Sequence, residues 1–388
     1  MIIDREIESE VRKVSGLYPV VTITGPRQSG KTTLAKKLFP QKAYYNLETP
    51  DIRQAIQNDP VSFLSQNPEG AIIDEIQRIP ELVSYIQPLV DENGIKGQFI
   101  LTGSNQFSLI NTISQSLAGR TAIIKLLPFT IQEALSFKNI SDQYMLVYKG
   151  FYPGIHSENL PPTTAYRNYY ETYIERDLRQ LINIGDLSVF QKFIRLCVGR
   201  VGSIFNMSQL ANETGVAIKT IQSWISVLEA SYLVFLLQPW HANINKRLVK
   251  TPKLYFYDVG LACFLLGIEN PEQLKRDPLF GSLFENLIVI DLLKQRYNKG
   301  YGPNLFFFRD SHGNEIDLVL TSGSFLKAVE IKSAETFHLD FLKTLKYLKK
   351  ILPDQITNSY LVYSGSYEFP IDDHKLLNFK NCNQILEA

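Results

Sequence analysis

The sequence has few cysteines, and the three that it has lie far apart. Cys197, Cys263 and Cys382 are the only ones among 388 residues, and no C-x-x-C or H-E-x-x-H spacing occurs. The five histidines are scattered along the chain. These features argue against a disulfide framework and against a structural zinc site, and they lead us to expect a reducing compartment.

The chain also lacks a strong charge of either sign and a long apolar run. Forty Lys and Arg residues face 39 Asp and Glu residues, which gives a formal net charge of +1. Contact with nucleic acid would therefore need a local basic patch. The most apolar stretch, 254–268, is too short to cross a bilayer and contains Asp258. The first residues hold no apolar signal segment, so we expect a cytoplasmic protein that does not enter a membrane.

The length and the apolar fraction of 45% are sufficient for two or three domains with real cores. From residue 1 to about residue 135, apolar strand patterns alternate with helical stretches. The strand patterns lie at Val20–Thr24, Ala43–Asn46, Ala71–Asp74, Gln98–Gly103 and Thr121–Leu126. This alternation predicts a parallel sheet with helices on both faces.

One segment within that region carries a specific motif. Residues 25–32 read GPRQSGKT and match G-x-x-x-x-G-K-[ST] between a predicted strand and a predicted helix. In that context the loop N–H groups and the helix dipole face an anion, Lys31 reaches the outer phosphates of a nucleotide, and Thr32 can bind Mg²⁺. The predicted nucleotide-binding residues are Gly25, Pro26, Arg27, Gln28, Ser29, Gly30, Lys31, Thr32 and Thr33.

Two acidic residues end the strand at 71–74. At the carboxyl end of a parallel strand, Asp74 and Glu75 would face the phosphate-binding motif. Asp74 is predicted to hold Mg²⁺ together with Thr32, and Glu75 to orient and polarise the attacking water. A solvated acidic strand end is the alternative interpretation.

Three further polar residues are candidates for the same site. Ser104 and Asn105 follow the core strand at 98–103 and are predicted to sense the γ-phosphate or position the water, with a turn cap as the alternative. Arg120 is a candidate for neutralising transition-state charge, within its own chain or across the contact of a homo-oligomer. An ordinary surface arginine is the alternative.

Four segments in this order, GPRQSGKTT, AIIDE, ILTGSN and SLAGR, resemble a prokaryotic family of AAA-type P-loop ATPases fused to a C-terminal domain of unknown function. The likeness covers about residues 15–365. It implies ATP with Mg²⁺ as ligands and Glu75 as the catalytic glutamate. It also implies a sheet in which one strand lies between the phosphate-loop strand and the strand that bears Asp74.

The middle of the chain predicts a small helical module. A helix opens near Ser208, Gly215 ends it, a second helix covers 220–229, and strand patterns follow at 233–237 and 253–257. This order predicts a winged helix-turn-helix. Four cations lie where the wing is expected and are candidates for non-specific DNA contact: Lys246, Arg247, Lys250 and Lys253. Docking of a protein, or of the module onto its own ATPase domain, is the alternative.

The last part of the chain predicts a second α/β unit. A helix at 279–297, three strands, a helix and a further strand follow one another, and this order resembles the PD-(D/E)XK nuclease fold. By that resemblance Asp317 and Glu330 bind Mg²⁺, Lys332 assists the attacking water and Glu285 completes the site. Solvated cross-strand pairs on the face of a hairpin are the alternative.

Together these patterns predict an α/β chain in four parts. An AAA-type P-loop ATPase domain with a parallel sheet occupies 1–135, a helical linker 136–189, a winged-helix-like module 190–272 and a PD-(D/E)XK nuclease-like domain 273–388. The predicted function is Mg²⁺-dependent ATP hydrolysis that moves or regulates the attached modules. Two alternatives stay open: an ATP-gated, metal-dependent nuclease, and a slow-turnover regulatory scaffold that acts through protein partners.

Overall fold

A computed structural model of the chain describes residues 3–104, 116–137, 140, 142–178, 186–240 and 251–387. The chain folds as two compact units. The amino-terminal unit comprises Met1–Phe129 with Ala230–Tyr232 and Tyr297–Tyr301, and the carboxy-terminal unit comprises Thr130–Glu229, Leu233–Arg296 and Gly302–Ala388. No helix within these described ranges combines the length and the apolar character needed to cross a membrane.

The amino-terminal unit contains a five-stranded sheet. Its strands are β1 (Val20–Thr24), β2 (Ala43–Asn46), β3 (Ala71–Asp74), β4 (Phe99–Gly103) and β5 (Thr121–Lys125). Its helices are α1 (Glu8–Ser15), α2 (Lys31–Leu38), α3 (Pro50–Asn58), α4 (Pro60–Ser65) and α5 (Leu82–Asn93), with a 3₁₀ turn at Ile76–Arg78. All its strand pairs are parallel, in the order β2-β3-β4-β1-β5.

Both faces of this sheet are buried. Along β1, Val20 belongs to one apolar core, whereas Val21 and Ile23 belong to a second core that also contains Leu34 of α2. Because successive strand residues point to opposite faces, a strand covered on both sides reads as a continuous apolar run. The predicted parallel α/β sheet is confirmed, and so is the strand, β4, between β1 and β3.

The carboxy-terminal unit begins with helices. They are α6 (Ile131–Leu135), α7 (Gln143–Lys149), α8 (Pro153–Ser157), α9 (Pro162–Tyr169), a π-helix (Tyr170–Leu178), α10 (Leu187–Val198), α11 (Met207–Thr214) and α12 (Ile218–Ala230). The amide of Gln209 donates to the Asn206 side chain, which caps α11. This helix therefore begins before Ser208, the predicted cap.

An antiparallel hairpin follows, formed by β6 (Val234–Pro239) and β7 (Lys253–Phe256). Beyond it lie α13 (Val259–Leu265), α14 (Pro271–Leu274), α15 (Phe280–Asn298), β8 (Leu305–Arg309), β9 (Glu315–Ser322) and β10 (Phe325–Lys332). The chain ends with a 3₁₀ turn (Leu339–Leu342), α16 (Lys343–Ile351), β11 (Ile356–Tyr363), β12 (Phe369–Ile371), β13 (His374–Asn378) and a final 3₁₀ segment (Phe379–Leu386).

These strands form one eight-stranded sheet in the order β12-β13-β11-β10-β9-β8-β6-β7. The hairpin joins it because Gln238 and Pro239 of β6 pair in parallel with Phe306 and Phe307 of β8. The predicted limits at 189/190 and 272/273 therefore fall inside a single compact unit. The predicted limit at 135/136 falls close to its beginning at Thr130.

Candidate functional site

The motif at Gly25–Thr32, called the phosphate loop below, lies between β1 and α2. Gly25 has φ +149°, and a Cβ atom there would lie 2.0 Å from the carbonyl oxygen of Leu126. Gly30 precedes α2 in the left-handed region at φ 93°. Both positions therefore require glycine, one for close backbone approach and one for backbone conformation.

Two side chains of the loop are suited to bind an anion. The Ser29 hydroxyl is buried and forms no hydrogen bond with any described residue. The Lys31 ammonium is buried and donates to the carbonyl oxygens of Gly25 at 3.0 Å and Pro26 at 2.7 Å. Burial lowers the pKa of Lys31 to about 8, against the attraction of Glu75 and Asp74. A bound polyanion would offset that desolvation and favour the charged amine.

A hydroxyl and a carboxylate meet beside the loop, where β1 and β3 end. The Thr32 hydroxyl donates to the Asp74 carboxylate, at 2.9 Å to Oδ2 and 3.1 Å to Oδ1. Tyr44 of β2 donates to Asp74 Oδ2 at 2.8 Å, and Thr102 of β4 donates to Oδ1. A hydroxyl next to a fixed carboxylate is an oxygen donor set that suits Mg²⁺, so the residues present fit this ion.

Glu75 follows Asp74 in a strained conformation. Its φ of 58° places a non-glycine residue in the left-handed region, which costs about 1–3 kcal/mol. Its carboxylate accepts hydrogen bonds from Gln77 and, at 3.2 Å, from Ser104. The Gln77 amide oxygen is buried and has no hydrogen-bond partner among the described residues. Three polar side chains are thus held together at the carboxyl edge of the sheet.

Arg5 is a site residue that the sequence did not reveal. It lies before α1, is 9% exposed, and donates to the carbonyl oxygens of Ser29 at 3.0 Å and Leu127 at 2.7 Å. Its guanidinium carbon also lies 4.8 Å from the centre of the Phe129 ring. Arg5 therefore fastens the phosphate loop to the segment that follows β5. Its distance along the chain from any motif explains why it was missed.

The structure brings Lys31, Thr32, Asp74, Glu75 and Ser104 together with the phosphate loop. Arg27 is half-buried in the loop, while Gln28 and Thr33 are exposed. Asn105 lies outside the described residues.

Arg120 does not join this group. Its carbonyl oxygen accepts from the amide of Val20, at the amino end of β1, whereas the phosphate loop follows the carboxyl end. Its guanidinium forms two hydrogen bonds with Asp91, at 2.6 and 2.8 Å. The predicted role of Arg120 within its own chain is therefore wrong, because it lies at the opposite edge of the sheet.

The predicted C-terminal site residues lie on neighbouring elements of the carboxy-terminal unit. We call Glu285 of α15, Glu315 and Asp317 of β9 and Glu330 of β10 the carboxylate cluster. Lys332 contacts Glu330 at 2.6 Å and Asp317 at 3.9 Å, and the amide of Ile331 donates to Asp317 at 2.8 Å. Sequence alternation correctly placed Glu315 and Asp317 on one face, but nothing in it indicated that Glu315 pairs with a lysine from β7.

Burial and mutual repulsion dominate the electrostatics of this cluster. Burial, together with the neighbouring Asp317 carboxylate, raises the pKa of Glu285 to about 7 and that of Glu330 to about 8. Within the described residues, no three His, Cys, Asp or Glu side chains are arranged to hold a metal ion. The ammonium of Lys332 contacts both predicted ligands, Asp317 and Glu330, so the donor set does not fit the Mg²⁺ that the nuclease resemblance implied.

One of the four wing cations is placed differently from its prediction. Lys253 is 2% exposed, and its ammonium contacts Glu285 at 2.9 Å and Glu315 at 2.5 Å. A buried amine cannot contact DNA phosphates, so that part of the prediction is wrong. Lys246, Arg247 and Lys250 lie outside the described residues.

Three parts of the chain match known families. Residues 17–135 match a family described as AAA domain, and residues 140–272 and 280–382 match two described as Domain of unknown function (DUF8612) and Domain of unknown function (DUF4143). The first match supports an AAA-type P-loop ATPase domain. The other two descriptions assign no activity.

Related proteins match most of the chain. An uncharacterized protein of Mycobacterium tuberculosis is 30% identical over 380 residues, which is 96% of this chain and 83% of that protein. An uncharacterized protein of Haemophilus influenzae is 23% identical over 316 residues, covering 73% of this chain and 76% of its own length. Among solved structures, a Walker-type ATPase of Pyrococcus abyssi has a TM-score of 0.48 and 14% identity, covering 68% of this chain and 96% of that one.

Proposed function

We propose that this chain is a Mg²⁺-dependent ATP hydrolase. It belongs to the same family as the uncharacterized Mycobacterium tuberculosis protein, and its residues 17–135 match an AAA domain. One observation supports this most strongly. The buried amine of Lys31, the Thr32–Asp74 pair and Glu75 converge where the phosphate loop meets the carboxyl edge of the parallel sheet.

Each residue has a role that follows from its chemistry. The loop amides and Lys31 bind the phosphates of ATP. Thr32 and Asp74 would hold Mg²⁺, which neutralises charge on the phosphates when it is bound. Glu75 orients a water for attack on the γ-phosphate, and Ser104 and Gln77 hold the Glu75 carboxylate in place.

A second candidate, the slow-turnover regulatory scaffold, is favoured by the resting arrangement of the same residues. The amine of Lys31 is engaged with two loop carbonyls and must turn away to reach a phosphate. The Glu75 carboxylate already accepts two hydrogen bonds from neighbouring side chains. A partner that released these contacts would raise turnover, which makes hydrolysis a switch.

The experiment is ATP hydrolysis by the purified chain, measured as phosphate release with and without Mg²⁺. We expect Lys31→Ala and Glu75→Gln each to lower kcat by about 10²-fold or more. The exposed residues Lys96 and Glu81 provide matched controls, since Lys96→Ala and Glu81→Gln change the same groups away from the site. Equal rates in all four variants would refute the assignment. A low basal rate that protein partners raise would favour the second candidate.

Any part played by Arg120 requires a second copy of the chain, because Arg120 lies at the amino edge of its own sheet. A homo-oligomer would then be the active form. Specific activity should rise with protein concentration and should fall in Arg120→Ala. Activity that stays constant on dilution to a monomer would exclude this role.

We further infer that 190–272 is a winged-helix module. The order α10, α11, α12 and the hairpin β6–β7 supports this, as does the left-handed Gly215 that ends α11. The amino-terminal turns of α12 expose Ile218, Lys219, Gln222 and Ser223. This face offers little chemistry for reading bases, so DNA contact through it would be non-specific.

The DNA interpretation has a quantitative test. With Lys253 buried, three predicted wing cations remain, and three phosphate contacts give a log–log salt slope of about −2.7. Fluorescence anisotropy with a labelled duplex at several salt concentrations measures this slope. Absence of binding at low salt would favour a module that docks protein instead.

The nuclease-like fold of 273–388 is an inference of the same kind. The order α15, β8, β9, β10, α16 and β11 supports it, with β10 antiparallel to β9 and parallel to β11. Phosphodiester cleavage does not follow from this arrangement, because lysine ammonium groups contact the carboxylates that would have to bind a divalent metal.

A further inference from the structure

The carboxylate cluster is bridged by two lysines from different strands. Lys253 of β7 joins Glu285 to Glu315, with distances of 2.9 and 2.5 Å from its amine. Lys332 of β10 joins Glu330 to Asp317, with distances of 2.6 and 3.9 Å. Lys253 therefore links α15 to β9, and Lys332 links β10 to β9.

Lys253 is the more deeply buried of the two. Its side chain is 3% exposed, whereas that of Lys332 is 33% exposed. Its amine lies 5.6 Å from the centre of the Phe307 ring. Tyr255, two residues along the same face of β7, donates its hydroxyl to Glu285. An ammonium buried to this degree costs several kcal/mol unless carboxylates pair with it, so its position is coupled to theirs.

Several of the oxygens that a metal would need already accept hydrogen bonds. Glu285 Oε1 accepts from both Lys253 and Tyr255. Glu330 accepts from Lys332 at Oε1 and from the Thr344 hydroxyl at Oε2. Mg²⁺ demands near-octahedral oxygen ligands at about 2.1 Å. The ammonium groups of Lys253 and Lys332 beside these carboxylates repel such an ion, whereas the groups that donate to Asp74 are neutral hydroxyls.

We propose that the ammonium of Lys253 stands in for a divalent cation within the carboxylate cluster, so that the native chain binds no Mg²⁺ or Mn²⁺ there. The cluster then serves as an ionic lock that fastens the β6–β7 hairpin to α15 and β9. The third cation, Arg309, contacts Glu315 at 3.4 Å and completes the lock from β8.

This proposal gives the C-terminal sheet a mechanical role. Backbone pairing with β8 holds the end of β6, and the lock holds the beginning of β7. The hairpin that forms the inferred wing is therefore fixed at the end of β6 and at the beginning of β7. A nuclease-like sheet would act as the support of a binding module and not as a cutting site.

The test is a Mn²⁺ titration of the full chain, followed by electron paramagnetic resonance of the free ion. Every protein carries Asp74→Asn, which removes the candidate cation site beside the phosphate loop. The chain with native Lys253 should bind no Mn²⁺ that depends on Asp317. Lys253→Met, which keeps the length but removes the charge, should bind Mn²⁺ about tenfold or more tightly than the residual, Asp317-independent binding of the chain with native Lys253, a difference of about 1.4 kcal/mol. Adding Asp317→Asn should abolish the gained site.

Thermal unfolding provides a second readout. Lys253→Met should unfold at a lower temperature than the parent, and Mn²⁺ should restore stability in that variant alone, because binding to the folded state stabilises it. Lys253→Arg, which keeps the charge, is the matched control and should gain no Mn²⁺ site.

Two results would overturn the proposal. One is Mn²⁺ binding to the chain with Lys253 intact that Asp317→Asn removes. The other is a folded Lys253→Met variant that gains no Mn²⁺ affinity. If Lys253→Met does not fold, the first comparison still decides, since it uses only proteins with native Lys253.

Discussion

Replacing Arg5 tests whether a residue outside every motif shapes the nucleotide site. Its two guanidinium hydrogen bonds reach the Ser29 and Leu127 carbonyls at 3.0 and 2.7 Å in a buried setting. A hydrogen bond to a charged group contributes about 1.5–3 kcal/mol. If Arg5→Ala destabilises the binding conformation of the loop by about 1.4–2.8 kcal/mol relative to other conformations, the KM for ATP rises about 10- to 100-fold.

The chemistry itself should change little, because Lys31 and Glu75 keep their positions relative to bound phosphates. We therefore expect kcat of Arg5→Ala to stay within about threefold of the parent once ATP is saturating. Arg5→Lys keeps the charge but cannot reach both carbonyls in a fork, so its KM should lie between the two. Arg12→Ala, an exposed arginine on α1, is the control.

Steady-state kinetics over a wide ATP range measures both constants. A lowered melting temperature with unchanged KM would show that Arg5 only stabilises the fold. Equal losses in kcat and kcat/KM would place its effect in the transition state, and either outcome refutes the reasoning.

Three further changes test other parts of the molecule. Burial raises the pKa of Glu229 from 4.5 to about 7, so the free energy of unfolding falls as the pH rises across that interval. Glu229→Gln should therefore have a larger free energy of unfolding than the parent at pH 8 and the same one at pH 4. Equal free energies of unfolding at both pH values would contradict this. Gly150→Ala should destabilise far more than Gly215→Ala by calorimetry, because its Cβ would lie 2.1 Å from the Tyr166 hydroxyl whereas nothing lies within 4 Å of the other. Asp258→Ala should lower the free energy of unfolding, measured by chemical denaturation, by about 3 kcal/mol or more. The buried Asp258 carboxylate accepts a hydrogen bond from the Tyr166 hydroxyl at 2.6 Å and caps α13. A loss under about 1 kcal/mol would refute this.

The amino-terminal sheet could be predicted from the sequence because its strands are buried on both faces. Runs such as Val20–Thr24 and Ala71–Asp74 are mostly apolar, fully buried and end in polar residues, so their limits are marked. The order of the strands came from the family resemblance, since apolar runs do not reveal which strands are neighbours. Short strands with exposed residues, such as β12 at Phe369–Ile371, carry no such marks and were not predicted.

The site was predictable where it depends on local spacing and not where it depends on tertiary placement. The phosphate loop and the Asp74–Glu75 pair are set by strand–loop–helix order. Ser104 follows β4 and lies at the carboxyl edge of the parallel sheet, whereas Arg120 immediately precedes β5 and lies at the amino edge. The prediction for Arg120 did not use that order. Lys253 ends a basic run, and only the packed sheet shows that it faces acids.

The bond between β6 and β8 also limits how the chain can be divided in the laboratory. A fragment that stops before residue 305 would leave Gln238 and Pro239 without their backbone partners. An unpaired strand edge can pair with strands of other chains and so promotes aggregation. Truncations between residues 272 and 280, where one family match ends and the next begins, are therefore expected to give fragments that self-associate. Work on the middle portion is better done by single substitutions in the intact polypeptide.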